Sequence, residues 1–362
     1  MSLAVAVRAG DAGILRRTAP RSGPVLGALG LLLCAACLVS LATGPSGVSL
    51  GELALYLYGT SSALTAQQTV IIEAVRLPRT LLGLLAGAGL GLSGAMLQGL
   101  FRNPLADPGL VGVTSGAAMA AVAAIVLGTG LLAPLTHLFG VAFLPLMAFL
   151  GALLNTSLLY LIATQGGRTS TASLILAGIA LGALASAVTG LMIFSADDTA
   201  LRDITFWSLG SLGGATMTRV LVLLPFVGAV VLLMPFVARG LDALVLGEAA
   251  AFHMGVPVQR LKRLVIVGVA AACGATVAMT GSIAFVGIIV PHLVRLVLGP
   301  AHRRVLPASA LGGAALMLLA DSLARVVAAP AELPIGIITA LLGTPVFLML
   351  LVGRPGRARI EP

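Results

Sequence analysis

Apolar stretches of about twenty residues recur along almost the whole chain, each the length a helix needs to cross the hydrocarbon of a bilayer. Short polar breaks separate them. Ten can be marked: Val25–Leu41, Pro78–Leu100, Gly112–Leu127, Ala142–Ala163, Ala172–Phe194, Val220–Val237, Leu264–Thr280, Ile283–Leu298, Leu306–Val327 and Pro334–Val352. Three polar connections are longer than the rest. The first, Gly44–Val75, is expected outside the bilayer with a short helix near Ala66–Ala74. The second is Ala196–Arg219, and the third Arg239–Arg263. The pattern predicts an all-α integral membrane protein of ten transmembrane helices over 24–353. Residues 1–23 and 354–362 are read as basic cytoplasmic tails. A twin arginine, Arg16-Arg17, ahead of an apolar run also fits a cleaved leader, but no cleavage site followed by a soluble domain accompanies it.

Spans two to five and seven to ten form two four-helix blocks offset by five spans. An odd offset makes any structural copies inverted in the membrane, a plan common in transporters. Composition agrees. Of 362 residues 59% are hydrophobic and 9% charged, with a mean hydropathy of +1.12. That is too little charge to cover a water-facing surface. The 45 glycines suit helices that approach closely in lipid. Aromatics at 4% and the unbroken apolar runs argue against a β-barrel. The net charge of +9 would suggest nucleic acid in a soluble chain; here it reports positive inner loops, and no nucleic-acid partner is expected. With the N-terminus inside, only Arg76, Arg79, Arg202, Arg219 and Arg325 fall on outer segments, and every other basic residue is inner. Cys34, Cys37 and Cys273 sit in apolar runs and are read as packing cysteines.

The most ordered stretch is Arg76–Gly116. Gly83, Gly87 and Gly91 lie on one face of span two and permit close helix contact. The elbow Asn103-Pro104-Leu105-Ala106-Asp107-Pro108-Gly109 cannot continue a helix, and is either a gate holding Asn103 and Leu105 at a constriction or an ordinary turn. In Arg239–Arg263, Gly247 and Gly255 act as stops for two short helices. Leu241, Leu244, Val245, Ala249 and Phe252 give an amphipathic surface for a cytoplasmic partner or for the membrane plane. The loop after span five holds Phe206 and the single tryptophan, Trp207. Asp321 and Arg325, one helical turn apart, are expected to pair. No phosphate-binding loop surrounds the sole lysine, Lys262, and no HExxH or nucleophile elbow occurs, so neither catalytic residues nor a metal site are expected. Sparse ionisable residues within the spans count against an ion-coupled carrier, the alternative class.

Several motifs together resemble the permeases of FecCD-type ABC importers for iron chelates, haem and cobalamin. They are Arg76-Leu77-Pro78-Arg79; Gly94-Ala95-Met96-Leu97-Gln98 with Asn103–Pro108; Gly281–Gly287 with Pro291-His292; and Glu332-Leu333-Pro334-Ile335-Gly336. The resemblance implies a homodimer around a central pathway in the bacterial inner membrane. Two cytoplasmic ATPase subunits would hydrolyse the ATP, and one periplasmic binding protein would deliver substrate. It implies docking of that protein by Arg76, Arg79 and Arg325, and a cytoplasmic gate at Asn103, Leu105, Thr169, Ser170 and Thr171. Coupling to the ATPase falls to Gly247, Glu248, Ala249, Phe252, Gly255, Val256 and Arg260, and Met96, Phe206 and Trp207 line the pathway. The segment Ile204–Gly214 looks most like the haem branch, making haem the expected substrate and no cofactor resident; ferric siderophore and cobalamin are the alternatives.

Overall fold

The computed structural model describes residues 22–44, 48–59, 64–329 and 331–352. Most of the two expected tails therefore lies outside the described residues. The elements in order are α1 Ser22–Ala42, α2 Leu50–Leu57, α3 Ala66–Val70, α4 Leu77–Leu100, α5 Val113–Leu127, α6 Ala133–Phe139, α7 Phe143–Ala163, β1 Thr164–Gln165, β2 Arg168–Thr169, α8 Thr171–Phe194, α9 Asp198–Leu209, α10 Met217–Leu244, α11 Glu248–His253, α12 Val258–Thr280, α13 Val286–Leu298, α14 His302–Val327 and α15 Ile335–Val352. Seven helical runs are long and apolar enough to cross a membrane, and α5, α13 and α15 are shorter apolar helices. Each expected span coincides with one of these. At 1.5 Å per residue the 13 residues of α13 reach only about 20 Å, short of the ~30 Å hydrocarbon thickness.

The chain is built around α4. Most of it, from Pro78 to Leu100, is buried, because α14, α10, α12 and α13 all pack on it. Its glycines make that crowding feasible. A Cβ on Gly87 would strike the Gly313 carbonyl of α14, one on Gly91 the Ser309 carbonyl, and one on Gly94 the Gly287 carbonyl of α13. Gly87 and Gly91 of the glycine face read from the sequence thus form a backbone-to-backbone seam with α14, whereas Gly83 faces the Leu212 and Leu318 side chains. The first helices of the two four-span blocks, α4 and α12, also pack against each other.

Three connections differ from expectation. The helix expected near Ala66–Ala74 does not stop: α3 runs through a π-helical segment, Ile71–Arg76, into α4, giving one helical run of 35 residues. The Ala196–Arg219 loop contains the twelve-residue α9, capped by Asp197 accepting from the Ala200 amide. The first of the two short helices expected around Gly247 is the end of α10, which continues to Leu244. In the Gly44–Val75 connection, α2 is fastened by a capping box between Ser49 and Glu52. The Ser49 amide and hydroxyl hold the Glu52 carboxyl below its ordinary range.

Candidate functional site

The elbow is satisfied almost wholly from within. Asn103 Oδ1 accepts the Leu105 amide at 2.9 Å, and the Asn103 carbonyl accepts the Ala106 amide at 3.1 Å. Asp107 Oδ1 accepts the Gly109 amide at 2.8 Å and caps a single 3-10 turn, Pro108–Val111. Gly112 then takes φ 75, a conformation costly for residues with a Cβ. From α7, Asn155 Nδ2 donates to the Gly112 carbonyl at 2.7 Å and Thr156 Oγ1 to the Val111 carbonyl at 3.1 Å. Asn155 lies about two turns before the end of α7, so the turn dips roughly 12 Å back into the bundle. Leu105 remains exposed at the tip.

On this same elbow face, two other parts of the expected site come together. The two-residue strands β1 and β2 form a hairpin, with Thr164 opposite Thr169, that leads into α8. Ser170 caps α8 by accepting the Ser173 amide. Thr169 is buried, and both its peptide groups are held by the first turn of α12: its amide donates to Gln259 Oε1 at 2.9 Å, and its carbonyl accepts from Lys262 Nζ at 2.5 Å. Lys262 Nζ also donates to Glu248 Oε1 at 2.7 Å, and Thr171 Oγ1 lies 3.5 Å from the same oxygen. Gly247, at φ 104, turns the chain into α11, and Gly255, at φ 83, turns it out. Between them Phe252 is 69% exposed. A cleft of about 590 Å³ beside α11 is bordered by Arg168, Glu248, Ala249, Phe252, Pro257 and Arg260. Val256 is half-buried, its amide bonded to the Ala251 carbonyl. Thr169 and Thr171 thus meet the Gly247–Arg260 set, whereas among the described residues no hydrogen bond joins them to Asn103 or Leu105. No role for Lys262 or Gln259 was legible from the sequence. A lone lysine at the mouth of a span was the available signal.

The opposite face corrects an expectation. Arg76, Arg79 and Arg325 do not project outward: they are 3%, 6% and 5% exposed. Arg79 Nη2 and Nε bond Asp321 at 2.9 and 3.0 Å, and its Nη1 bonds Glu332 at 2.8 Å. Arg325 Nε reaches Asp321 Oδ2 at 3.1 Å, which is the expected i,i+4 pair, and its Nη1 donates to the Thr43 carbonyl at 2.5 Å. Arg76 Nη1 donates to the Leu41 carbonyl at 2.7 Å. Two guanidiniums therefore satisfy the carbonyls at the C-terminus of α1, where cations are favoured. Glu332, its side chain 38% exposed, opens this network to the outside.

Next to it, three segments converge. The Ser211 amide donates to the Thr280 carbonyl at 2.7 Å, and the Ile335 amide to the Gly210 carbonyl at 3.1 Å. A Cβ on Gly281 would strike the Trp207 carbonyl, and one on Gly336 the Leu209 carbonyl. The motifs at Gly281 and Gly336 are therefore sites of backbone contact with the end of α9. Phe206 and Trp207 border a cavity of about 310 Å³ together with Asp203, Ser211 and Arg219. Met96 does not join them. It is fully buried in the packing around α4 and presents no surface to a pathway, because the glycine seam draws neighbouring helices over it.

Comparison with known proteins agrees with this architecture. The sequence profile of the FecCD transport family matches residues 32–353. The hemin transport system permease protein HmuU of Yersinia pestis is 41% identical over 327 residues, covering 90% of this chain and 95% of that protein. The cobalamin import system permease protein BtuC of Halobacterium salinarum is 47% identical over 296 residues, covering 81% of this chain and 76% of that protein. Among solved structures, an inward-facing conformation of a metal-chelate type ABC transporter superposes with a TM-score of 0.79 at 34% identity, over 92% of this chain and 100% of that one.

Proposed function

The chain belongs to the FecCD transport family, as an ABC-importer permease, and from that premise we propose that it carries haem inward across a bacterial inner membrane. The observation that carries the substrate reading is the nearly end-to-end similarity to the hemin permease. The cavity between Phe206, Trp207 and Arg219 supports it, since ring faces and a guanidinium suit a planar ring bearing carboxylates. Cobalamin is the second reading, favoured by the higher identity to the haloarchaeal permease over a shorter stretch.

In this reading two copies of the chain surround the pathway, their N- and C-termini cytoplasmic. Two ATPase subunits seat on the elbow face around α11, where exposed Phe252, with Val245 and Leu246, provides an apolar contact beside the Arg260 cleft. A periplasmic binding protein delivers substrate to the opposite face. Its carboxylates reach Arg79 only by displacing Glu332, so receptor docking and the hold on α14 compete for one guanidinium. Asn103, Leu105 and the hairpin ahead of α8 close the inner exit.

The test is uptake in liposomes holding the permease, its ATPase and its binding protein. Haem should enter with ATP, and faster than cobalamin or a ferric siderophore. Uptake of cobalamin without haem would transfer the proposal to the second reading. Transport by the isolated chain on an ion gradient alone would overturn both.

A further inference from the structure

We propose that Lys262 is the positioning residue that joins the partner-docking segment to the hairpin at the head of α8, so that the two move as one body. The inference rests on the reading above, in which an ATPase presses on α11.

Lys262 is the only lysine in the chain and is 1% exposed. A buried ammonium is tolerated only where it is paired and its protons are used. Here one N–H goes to the Glu248 carboxylate and another to the Thr169 carbonyl. Those acceptors belong to different parts of the chain, 14 and 93 positions from the lysine. Glu248 is the first residue of α11, just after the turn at Gly247, and its side chain is 39% exposed. Thr169 is the last residue of β2, just before α8 begins at Thr171. The ammonium therefore stands between the surface helix and the start of a span.

The surrounding contacts make the link selective. Gln259 holds the Thr169 amide from the same turn of α12, so the hairpin cannot slip along Lys262 without losing both bonds. Thr164 and Thr169 close the hairpin through their hydroxyls at 3.0 Å. On the other side, α11 is flanked by glycines of positive φ and packs through buried Ala251, and Glu248 joins its first turn to Lys262. A push on exposed Phe252 can be relieved in two ways. Either Glu248 leaves Lys262 and strands a buried charge, or Lys262 and Thr169 follow. The cost of the first favours the second.

The experiment uses the full chain with Cys34, Cys37 and Cys273 replaced by alanine and spin labels at Gln165→Cys and His253→Cys, both exposed positions. In lipid nanodiscs the parent should give one narrow distance distribution. Lys262→Gln and Glu248→Gln should each broaden it, and Lys262→Arg should restore it. Unchanged distributions in both glutamine variants would overturn the proposal. In liposomes with ATPase and binding protein, the ratio of substrate moved to ATP hydrolysed should fall about tenfold in Glu248→Gln. A proportional fall of transport and hydrolysis together would mark a merely structural clip and overturn the link. Should Lys262→Gln fail to fold, Glu248→Gln carries both arms, since its site is half-exposed. Should the parent move none of haem, cobalamin or ferric siderophore, the transport reading fails while the label distances still decide the link.

Discussion

The two faces of the bundle each bury cations, and they bury them differently. On the face opposite the elbow, Arg79 and Arg325 share Asp321, and Arg325 and Arg76 spend further donors on the carbonyls ending α1. Its shared acid, Asp321, sits on the buried helix α14, and most of its other arms end at the C-terminus of α1, with Glu332 the exposed acceptor. On the elbow face a single ammonium meets one half-exposed carboxylate and one hairpin carbonyl, and the carboxylate sits on a short helix between two glycine turns. The first arrangement has many bonds and little freedom, which suits an anchor. The second has few bonds and a half-exposed end between two glycine turns, which suits transmission. Burial of a charge does not by itself separate a structural site from a functional one; what the partners are attached to does.

The comparison breaks most easily at Asp321. Asp321→Ala would leave two buried guanidiniums without their shared carboxylate, and should cost about 3–5 kcal/mol, read as a lower unfolding midpoint in detergent. A loss no larger than that of Glu248→Gln would erase the distinction between the faces. Next comes the seam that holds the anchor in place. Gly87→Leu must push α4 off the Gly313 carbonyl and should cost about 1–3 kcal/mol in the same assay. Glu248→Gln should cost about 1–2 kcal/mol, since the Gln carbonyl can still accept from the buried ammonium but the charge on Glu248 is lost. Its signature is the lost coupling of transport to hydrolysis, and a stability loss matching Asp321→Ala would instead make Lys262 a second anchor. Smallest in stability is Phe252→Ala, expected within about 0.5 kcal/mol of the parent because the ring is exposed. It should nevertheless weaken ATPase association measurably by surface binding in detergent; unchanged affinity would remove α11 from the docking surface.

Much of the fold was legible in the chain because a bilayer imposes it. Backbone polar groups in hydrocarbon must pair within their own segment, so an apolar run of the right length is a helix before any neighbour is known. That is why each of the ten expected segments coincides with a helix, and why the glycine spacing of α4 announced a close seam. Polar connections carry no such constraint, and there the reading was weakest: α9 inside the Ala196–Arg219 loop, the merging of α3 with α4, and the extension of α10 to Leu244 all depend on packing.

The candidate site divides along the same line. The sequence by itself determined that Gly247 and Gly255 bracket a surface helix, that Asn103–Pro108 is a stiff elbow, and that Asp321 and Arg325 pair, since each follows from contacts a few residues apart. Only the tertiary structure decided that Arg79 completes that pair from 242 positions away, that Arg76 turns inward to the end of α1, that Met96 is sealed in the core, and that Lys262 reaches Thr169 across 93 positions. Local geometry is written in spacing. The partner of a buried charge is set by which helices the small-residue seams bring together, and no spacing in the chain records that.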